Sequence, residues 1–195
     1  DESGNVLNNV VHLVTRTSDD PRQNIDLIKL LETTLTINPD CIAVAEMKGG
    51  ESMQAINAAN TGHSVITTIH ANSCEDTYYR MVTLCKQEQP GMDDDTLQSL
   101  ATKAFPIVAF AKRLEDNSRR MMEITECETL PNGTRRMRTL YRFHIADSLV
   151  VDGKTKIIGQ YENVENLSEG LQKRLRENGL SQKFLDRMLE GEKKV

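Results

Sequence analysis

The chain has 195 residues, of which 38% are hydrophobic and 27% are charged, and its formal net charge is −5. Such a chain can bury a core, and its acidic balance weighs against nucleic acid as a partner. No run of about eighteen apolar residues occurs, so no membrane-spanning helix is predicted. The first four residues lack the basic-then-apolar order of an export signal, and the four cysteines form no C-x-x-C pair. These features indicate a cytoplasmic protein with reduced thiols.

The first part of the chain alternates between strand and helix patterns. Residues 10–15 are predicted to form a strand, and apolar residues at helical spacing predict a helix over 25–35. The Asn-Pro-Asp sequence at 38–40 ends that helix. Residues 41–45 form a continuous apolar run, which predicts a strand covered on both faces, and Glu46 follows it directly.

The same alternation continues after the Gly-Gly pair at 49–50. A helix is predicted over 51–60, a strand rich in β-branched residues over 64–69, and a helix over 74–86 that Asn72 or Ser73 caps. Strands that alternate with helices predict a parallel sheet with helices packed on it.

From Pro106 onward the pattern changes to strands joined by tight turns. Strands are predicted over 107–114, 121–130 and 137–145, and the Asp-Gly pair at 152–153 predicts a further hairpin. The chain then ends with two predicted short helices, 168–178 and 181–189. The predicted fold is therefore α/β, with a parallel sheet and flanking helices, followed by an antiparallel β section and a short helical tail.

Two polar residues stand at the ends of predicted parallel strands. Glu46 ends the first strand and His70 ends the next, and ligands in open α/β sheets bind beyond the carboxyl ends of the strands. A carboxylate there can hold magnesium through water or polarise an attacking water, and an imidazole can contact a terminal phosphate. The spacing alone is equally compatible with two polar residues that simply end buried strands.

Longer motifs around these two residues resemble a known family. Residues 38–51, NPDCIAVAEMKGGE, resemble the Walker B region of the type II/IV secretion ATPases, and residues 61–73, TGHSVITTIHANS, resemble their His box. Arg80 matches an arginine that the family commonly has in the following helix. The Thr-Ile-His-Ala-Asn-Ser sequence and the Gly-Gly-Glu at 49–51 resemble the corresponding motifs of the CpaF branch, also called TadA-type.

The resemblance implies the C-terminal part of a RecA-like P-loop NTPase core. In that view residues 1–105 are the C-terminal part of the ATPase core, with the Walker B region and the His box. Residues 106–163 form an antiparallel β section that closes the ATPase domain, and residues 164–195 form a helical C-terminal appendage. The cofactors implied are ATP and Mg²⁺. The implied machine is a hexameric homo-oligomer that powers protein secretion or assembly of a type IV or Tad pilus. It would lie in the cytoplasm against the inner face of the cell membrane, with inner-membrane platform proteins as partners.

The resemblance also assigns roles to individual residues. Glu46 is expected to hold Mg²⁺ through water and to support the attacking water, and His70 to contact the γ-phosphate. Either Arg16 or Arg80 is expected to neutralise phosphate charge within or between subunits. The residues expected to bind nucleotide are Arg16, Lys48, Glu51 and His63. Two positions depart from the family pattern, Ala45 in place of a glycine and Lys48 in place of an arginine, and lysine cannot make the planar two-pronged contact of arginine.

The phosphate-binding loop of such motors is missing from the sequence. Its pattern is G-x-x-x-x-G-K-[ST], and the Gly-Lys-Thr at 153–155 fails it because Ser148 stands five positions before Gly153. The sequence around it predicts a hairpin turn instead. The chain is therefore expected to begin inside the motor domain and to be inactive alone. Two other interpretations stay open, a non-catalytic module for assembly or docking and a translocase for DNA transfer.

Overall fold

Residues 9–190 are described by a computed structural model, in which they form two units. The first unit runs to Ile69 and includes Thr83–Asp93, and the second comprises His70–Val82 and the residues from Asp94 onward. The α/β fold class is confirmed, while the division at residues 105 and 163 stays a prediction. Residues 1–8 and 191–195, including the N-terminal residues considered for an export signal, lie outside the described part. No helix within it is both long and apolar enough to span a membrane.

The first unit contains short helices and a two-stranded parallel sheet. Its elements in chain order are a 3-10 turn at Pro21–Gln23, α1 at Leu27–Ile37, β1 at Cys41–Val44, α2 at Glu51–Asn60 and β2 at Ser64–Thr67. Helix α1 begins where the Asp26 carboxylate accepts a hydrogen bond from the amide of Lys29. It ends at Asn38, whose φ of 54° lies in the left-handed region that asparagine tolerates.

The strand predicted over residues 10–15 is wrong. These residues pair with no strand in the described part of the chain, and the only bridge nearby joins Arg16 to Ile25. The side chains of Val10 and Val14 are 65% and 78% exposed. A segment rich in β-branched residues forms a strand only where a neighbouring strand pairs with its backbone N–H and C=O groups. No strand within the described residues pairs with this segment.

Strands β1 and β2 run parallel, as predicted, from the pair Cys41 and Ser64 to the pair Val44 and Thr67. Burial alternates along β1: Ile42 and Val44 are buried, whereas Cys41 and the residue at 43 are exposed. The prediction of a strand covered on both faces is therefore wrong for the described residues. A continuous apolar run means that side chains on both faces of the strand can be buried. It does not show whether another element covers each face.

The second unit is dominated by an antiparallel sheet. Its elements are the first part of α3 (Cys74–Cys85), α4 at Asp94–Ala104, β3 at Ile107–Arg113, β4 at Arg119–Thr129, β5 at Arg135–Val151, β6 at Lys154–Asn163, α5 at Glu169–Glu177 and α6 at Gln182–Glu190. The sheet has the order β3-β4-β5-β6 with every neighbouring pair antiparallel. These strands and the last two helices are predicted from the sequence, whereas α4 is not.

The turn between β5 and β6 excludes a phosphate-binding loop at that place. Asp152 and Gly153 have φ angles of 50° and 71°, so both lie in the left-handed region that a tight hairpin requires. Lys154 and Thr155 then pair with Val151 and Val150 on β5. The predicted hairpin is confirmed, and no helix follows the glycine.

Candidate functional site

The carboxyl ends of β1 and β2 are held side by side beyond the strands themselves. The amide of Met47 donates a hydrogen bond of 2.9 Å to the carbonyl of Thr68, and the Thr68 hydroxyl donates one of 2.5 Å to the carbonyl of Ala45. Met47 is buried and anchors the chain after the strand. Glu46 lies between Ala45 and Met47, whose backbone groups are both held by Thr68, and its side chain is 26% exposed. A partly exposed carboxylate therefore stands at the edge where α/β sheets bind ligands.

Lys48 forms an ion pair with that carboxylate. Its Nζ lies 2.8 Å from Oε2 of Glu46, and its own side chain is 72% exposed. The hydrogen bond that Lys48 donates to Glu46 is the main cause that raises the pKa of Lys48 above its usual range. Lysine thus supplies a single compact charge beside this carboxylate.

Glu51 turns its carboxylate back onto the loop that precedes α2. Its Oε1 accepts a hydrogen bond of 2.6 Å from the amide of Lys48 and one of 2.9 Å from the amide of Gly49. Residues 46–51, called the carboxylate turn below, therefore contain two carboxylates that bind opposite ends of Lys48. The structure brings together three of the predicted site residues, Glu46, Lys48 and Glu51.

The two glycines of the carboxylate turn lie against the residues that follow α3. A Cβ atom on Gly49 would lie 3.0 Å from Glu51 Oε2 and 3.1 Å from the side-chain oxygen of Gln87. One on Gly50 would lie 3.3 Å from the Cβ of Glu88. Gln87 and Glu88 were not predicted as neighbours of this turn, because nothing in a single sequence links them to residues so far away along the chain.

The two histidines of the predicted site differ in exposure. His70 is exposed and lies three residues beyond the end of β2, where the second unit begins. The amide of His63 donates to the carbonyl of Ala58 at 3.2 Å, just before β2 starts. Both ring nitrogens of His63 are enclosed, and neither has a hydrogen-bond partner among the residues that the structure describes.

The two arginines of the predicted site are not part of the carboxylate turn. The guanidinium of Arg16 donates two hydrogen bonds, of 3.2 and 2.9 Å, to the carbonyl of Gln23 within its own loop. Arg80 is exposed on α3 and belongs to the second unit. The roles assigned to both arginines stay predictions.

Three arginines on β5 are paired with carboxylates. Arg135 contacts Asp95, and two further arginines contact Glu165, Arg136 at 2.6 Å and Arg138 at 3.1 Å. These contacts neutralise much of the positive charge of the strand. A phosphate backbone would have to displace carboxylates to bind there.

The donors present fit magnesium held through water better than a metal caged by protein. No group of three or more histidine, cysteine, aspartate or glutamate side chains is arranged to hold a metal within residues 9–190. Glu46 nevertheless offers one partly exposed carboxylate. Magnesium keeps several of its waters and commonly binds through one or two carboxylates together with substrate phosphates.

These features define an α/β protein with a charged turn at the carboxyl ends of its parallel strands. A family model described as Type II/IV secretion system protein matches residues 6–193. The match covers almost the whole chain, so the chain belongs to this family.

Several curated proteins are similar to parts of the chain. The type IV pilus assembly ATPase PilB of Pseudomonas aeruginosa is 36% identical over 72 residues, which are 36% of this chain and 13% of that protein. The type IV secretion system protein VirB11 of Brucella suis is 36% identical over 86 residues, 43% of this chain and 24% of that protein. The probable conjugal transfer protein TrbB of Sinorhizobium fredii is 27% identical over 124 residues, 62% of this chain and 35% of that protein.

One solved structure is similar in fold as well as in sequence. It is the VirB11 ATPase of the Brucella suis type IV secretion system in complex with sulphate, with a TM-score of 0.50 and 28% identity. The similarity covers 52% of this chain and 32% of that one. The chain therefore spans about a third or less of the length of these relatives, each of which has a substantial part that the chain does not match.

Proposed function

We propose that this chain is part of an ATP-hydrolysing motor for secretion or pilus assembly, and that its carboxylate turn supports the hydrolysis step. The observation that carries the proposal is the position of Glu46, at the carboxyl end of a parallel strand, partly exposed and 2.8 Å from Lys48. Membership of the secretion family and relatives described as ATPases support it.

The charged residues at the ends of the two parallel strands can bind a magnesium ion and the phosphates of a nucleoside triphosphate. Glu46 can hold magnesium through water and orient an attacking water, because its carboxylate is reachable and its neighbours fix the backbone on both sides. Bound magnesium would neutralise charge on the phosphates. Lys48 offers a positive charge beside that carboxylate, and His70 an exposed imidazole that can contact the terminal phosphate. Arg16, Arg80 and His63 are proposed to assist within or between subunits.

Hydrolysis also requires a phosphate-binding loop, which the sequence of this chain lacks. Its backbone amides and lysine would supply most of the contacts to the phosphates. The active unit is therefore proposed to be a polypeptide that contains this chain together with such a loop. The chain alone is proposed to bind Mg-ATP weakly and to be inactive.

The finer identity is proposed from the motifs alone. The Gly-Gly-Glu at 49–51 and the Thr-Ile-His-Ala-Asn-Ser at 68–73 favour the CpaF or TadA-type branch. The machine would be a homo-hexamer at the cytoplasmic face of the inner membrane, working on platform proteins of a secretion system or Tad pilus. The carboxylate pairing of Arg135, Arg136 and Arg138 disfavours the DNA-transfer alternative, since those side chains are already neutralised.

Replacement of Glu46 by glutamine tests the proposal in a polypeptide that includes the phosphate-binding loop. The change keeps the size of the side chain and removes its charge, so turnover of ATP should fall by at least about 100-fold. The affinity for Mg-ATP should stay within a few-fold of the original. Glu32→Gln, on the exposed side of α1, is the matched control and should hydrolyse at the unmodified rate. Full hydrolysis by the Glu46 variant would refute the assignment.

A non-catalytic docking module is the second candidate, and the missing phosphate loop favours it. Calorimetric titration of this chain with Mg-ATP tests whether the loop is needed for binding. Weak or undetectable binding is expected. Micromolar affinity would mean that the described residues bind nucleotide by themselves, and both the docking module and the need for a loop would then be rejected.

A further inference from the structure

The carboxylate of Glu51 is already engaged by the backbone of the carboxylate turn. One of its oxygens accepts two hydrogen bonds, of 2.6 Å from the amide of Lys48 and 2.9 Å from the amide of Gly49. Hydrogen bonds from amides to a charged carboxylate are about twice as strong as those between neutral groups. Glu51 therefore fixes the backbone at residues 48 and 49.

Lys48 connects this backbone anchor to Glu46. Its amide is bound by Glu51, and its Nζ is bound by Glu46 at 2.8 Å. Both carboxylates raise the pKa of Lys48, Glu46 through the hydrogen bond and its charge and Glu51 through its charge. A lysine side chain is long and flexible, so the position of its charge depends on a fixed backbone. A displaced amide at residue 48 would also displace the ion pair at Glu46.

Gly49 is closely surrounded by the side chains of Glu51 and Gln87. A Cβ atom there would lie 3.0 Å from Glu51 Oε2 and 3.1 Å from the side-chain oxygen of Gln87, closer than such contacts normally are. A side chain at position 49 would therefore require the ends of the Glu51 and Gln87 side chains to move by a few tenths of an ångström. Gly91 offers a contrast, because a Cβ atom there would meet nothing within 4 Å.

We propose that Glu51 is a positioning residue, which holds the amides of Lys48 and Gly49 and thereby sets the ion pair between Lys48 and Glu46. This role rests on the proposed function of Glu46 and replaces a direct contact of Glu51 with nucleotide. The doubled glycine belongs to the same device, since position 49 has to leave room for the carboxylate and position 50 lies against Glu88.

The first test uses this chain and needs no nucleotide. Amide proton shifts of Lys48 and Gly49 are compared by NMR between the unmodified chain and Glu51→Ala. Both amide protons should move upfield together in the variant, because it removes the oxygen that accepts from both amides. Glu88→Gln, which removes a charge beside Gly50, is the control and should leave both shifts in place. Movement of only one amide proton, or unchanged shifts in Glu51→Ala, would overturn the proposal.

The second test uses the polypeptide that includes the phosphate-binding loop. Glu51→Ala, which removes the acceptor, should lower kcat by about 10- to 100-fold and leave KM for Mg-ATP unchanged, because a misplaced catalytic group slows the reaction without weakening binding. Gly49→Ala should give a smaller loss in the same direction, and Gly91→Ala should give none. A raised KM with an unchanged kcat would indicate a direct contact with nucleotide and would overturn the positioning role.

The two tests separate the failure of this inference from that of the proposed function. If the unmodified polypeptide hydrolyses no ATP, the proposed function fails, and the amide proton shifts alone decide whether Glu51 holds the turn. If it hydrolyses ATP and Glu51→Ala keeps the full kcat, the positioning role fails while the role of Glu46 stands.

Discussion

Glu46 in the first unit and Glu126 in the second are both bound by neighbouring residues, but in opposite surroundings. The Glu46 side chain is 26% exposed and pairs with a lysine that solvent reaches. Glu126 is 2% exposed, and its carboxylate accepts hydrogen bonds from the amide of Ser168, at 2.8 Å, and from the Ser168 hydroxyl. A carboxylate near solvent can exchange its partner for a ligand, whereas a buried one cannot do so without leaving polar groups unpaired. Exposure therefore separates a residue suited to chemistry from one that ties β4 to α5.

Replacing Glu126 by alanine should have the largest effect on stability. The change leaves the amide and hydroxyl of Ser168 without their acceptor inside the protein, which should lower the free energy of unfolding by about 3 kcal/mol. Glu46→Gln should change it by less than about 0.5 kcal/mol. Urea denaturation of this chain measures both values. Equal losses for the two variants would contradict the contrast drawn between the two carboxylates.

Two glycines extend the comparison at a smaller scale. A Cβ atom on Gly159 would overlap the carbonyl of His144 and lie 2.6 Å from the ring of Phe143, so Gly159→Ala should lower the free energy of unfolding by about 1–3 kcal/mol. Gly49→Ala meets only the ends of flexible side chains and should cost less than about 1 kcal/mol. Thermal unfolding of the two variants ranks them, and a larger loss at Gly49 would reverse the expectation.

The cysteines give the smallest and simplest contrast. Cys41 is exposed on β1, whereas Cys74, Cys85 and Cys127 are buried. Burial raises the pKa of all three buried thiols, and that of Cys85 reaches about 11. At pH 8 a thiol reagent should modify Cys41 quickly and the other three only after unfolding. Mass spectrometry of the modified peptides identifies the sites, and rapid modification of Cys85 would show that the core of the first unit opens.

Local sequence patterns predicted much of the fold. The strands β1 and β2 were visible from short apolar and β-branched runs, and the Asp-Gly pair predicted the β5–β6 hairpin. Residues 10–15 show the limit of such patterns, because the same composition lacks a pairing partner in the described chain and forms no strand. Helix α4 was missed although Leu97 and Ala101 are spaced for a helix and are buried in it.

The candidate site was predicted only in part from the sequence. The end of a strand placed Glu46 at the edge of the sheet, and the motif drew attention to Glu51. The return of the Glu51 carboxylate onto the amides of Lys48 and Gly49 was not predictable, since glutamate at the first turn of a helix usually needs no tertiary explanation. The packing of the glycines against Gln87 and Glu88 depends on contacts between distant parts of the chain, which a single sequence does not encode visibly.

The role of Glu46 is tested most directly by measuring ATP hydrolysis and thermal unfolding side by side for Glu46→Gln, in a polypeptide that joins this chain to a phosphate-binding loop. Hydrolysis should fall by at least about 100-fold while the unfolding midpoint stays unchanged. Hydrolysis at the unmodified rate would contradict a catalytic role, because Glu46 would then be one more polar residue at the end of a strand.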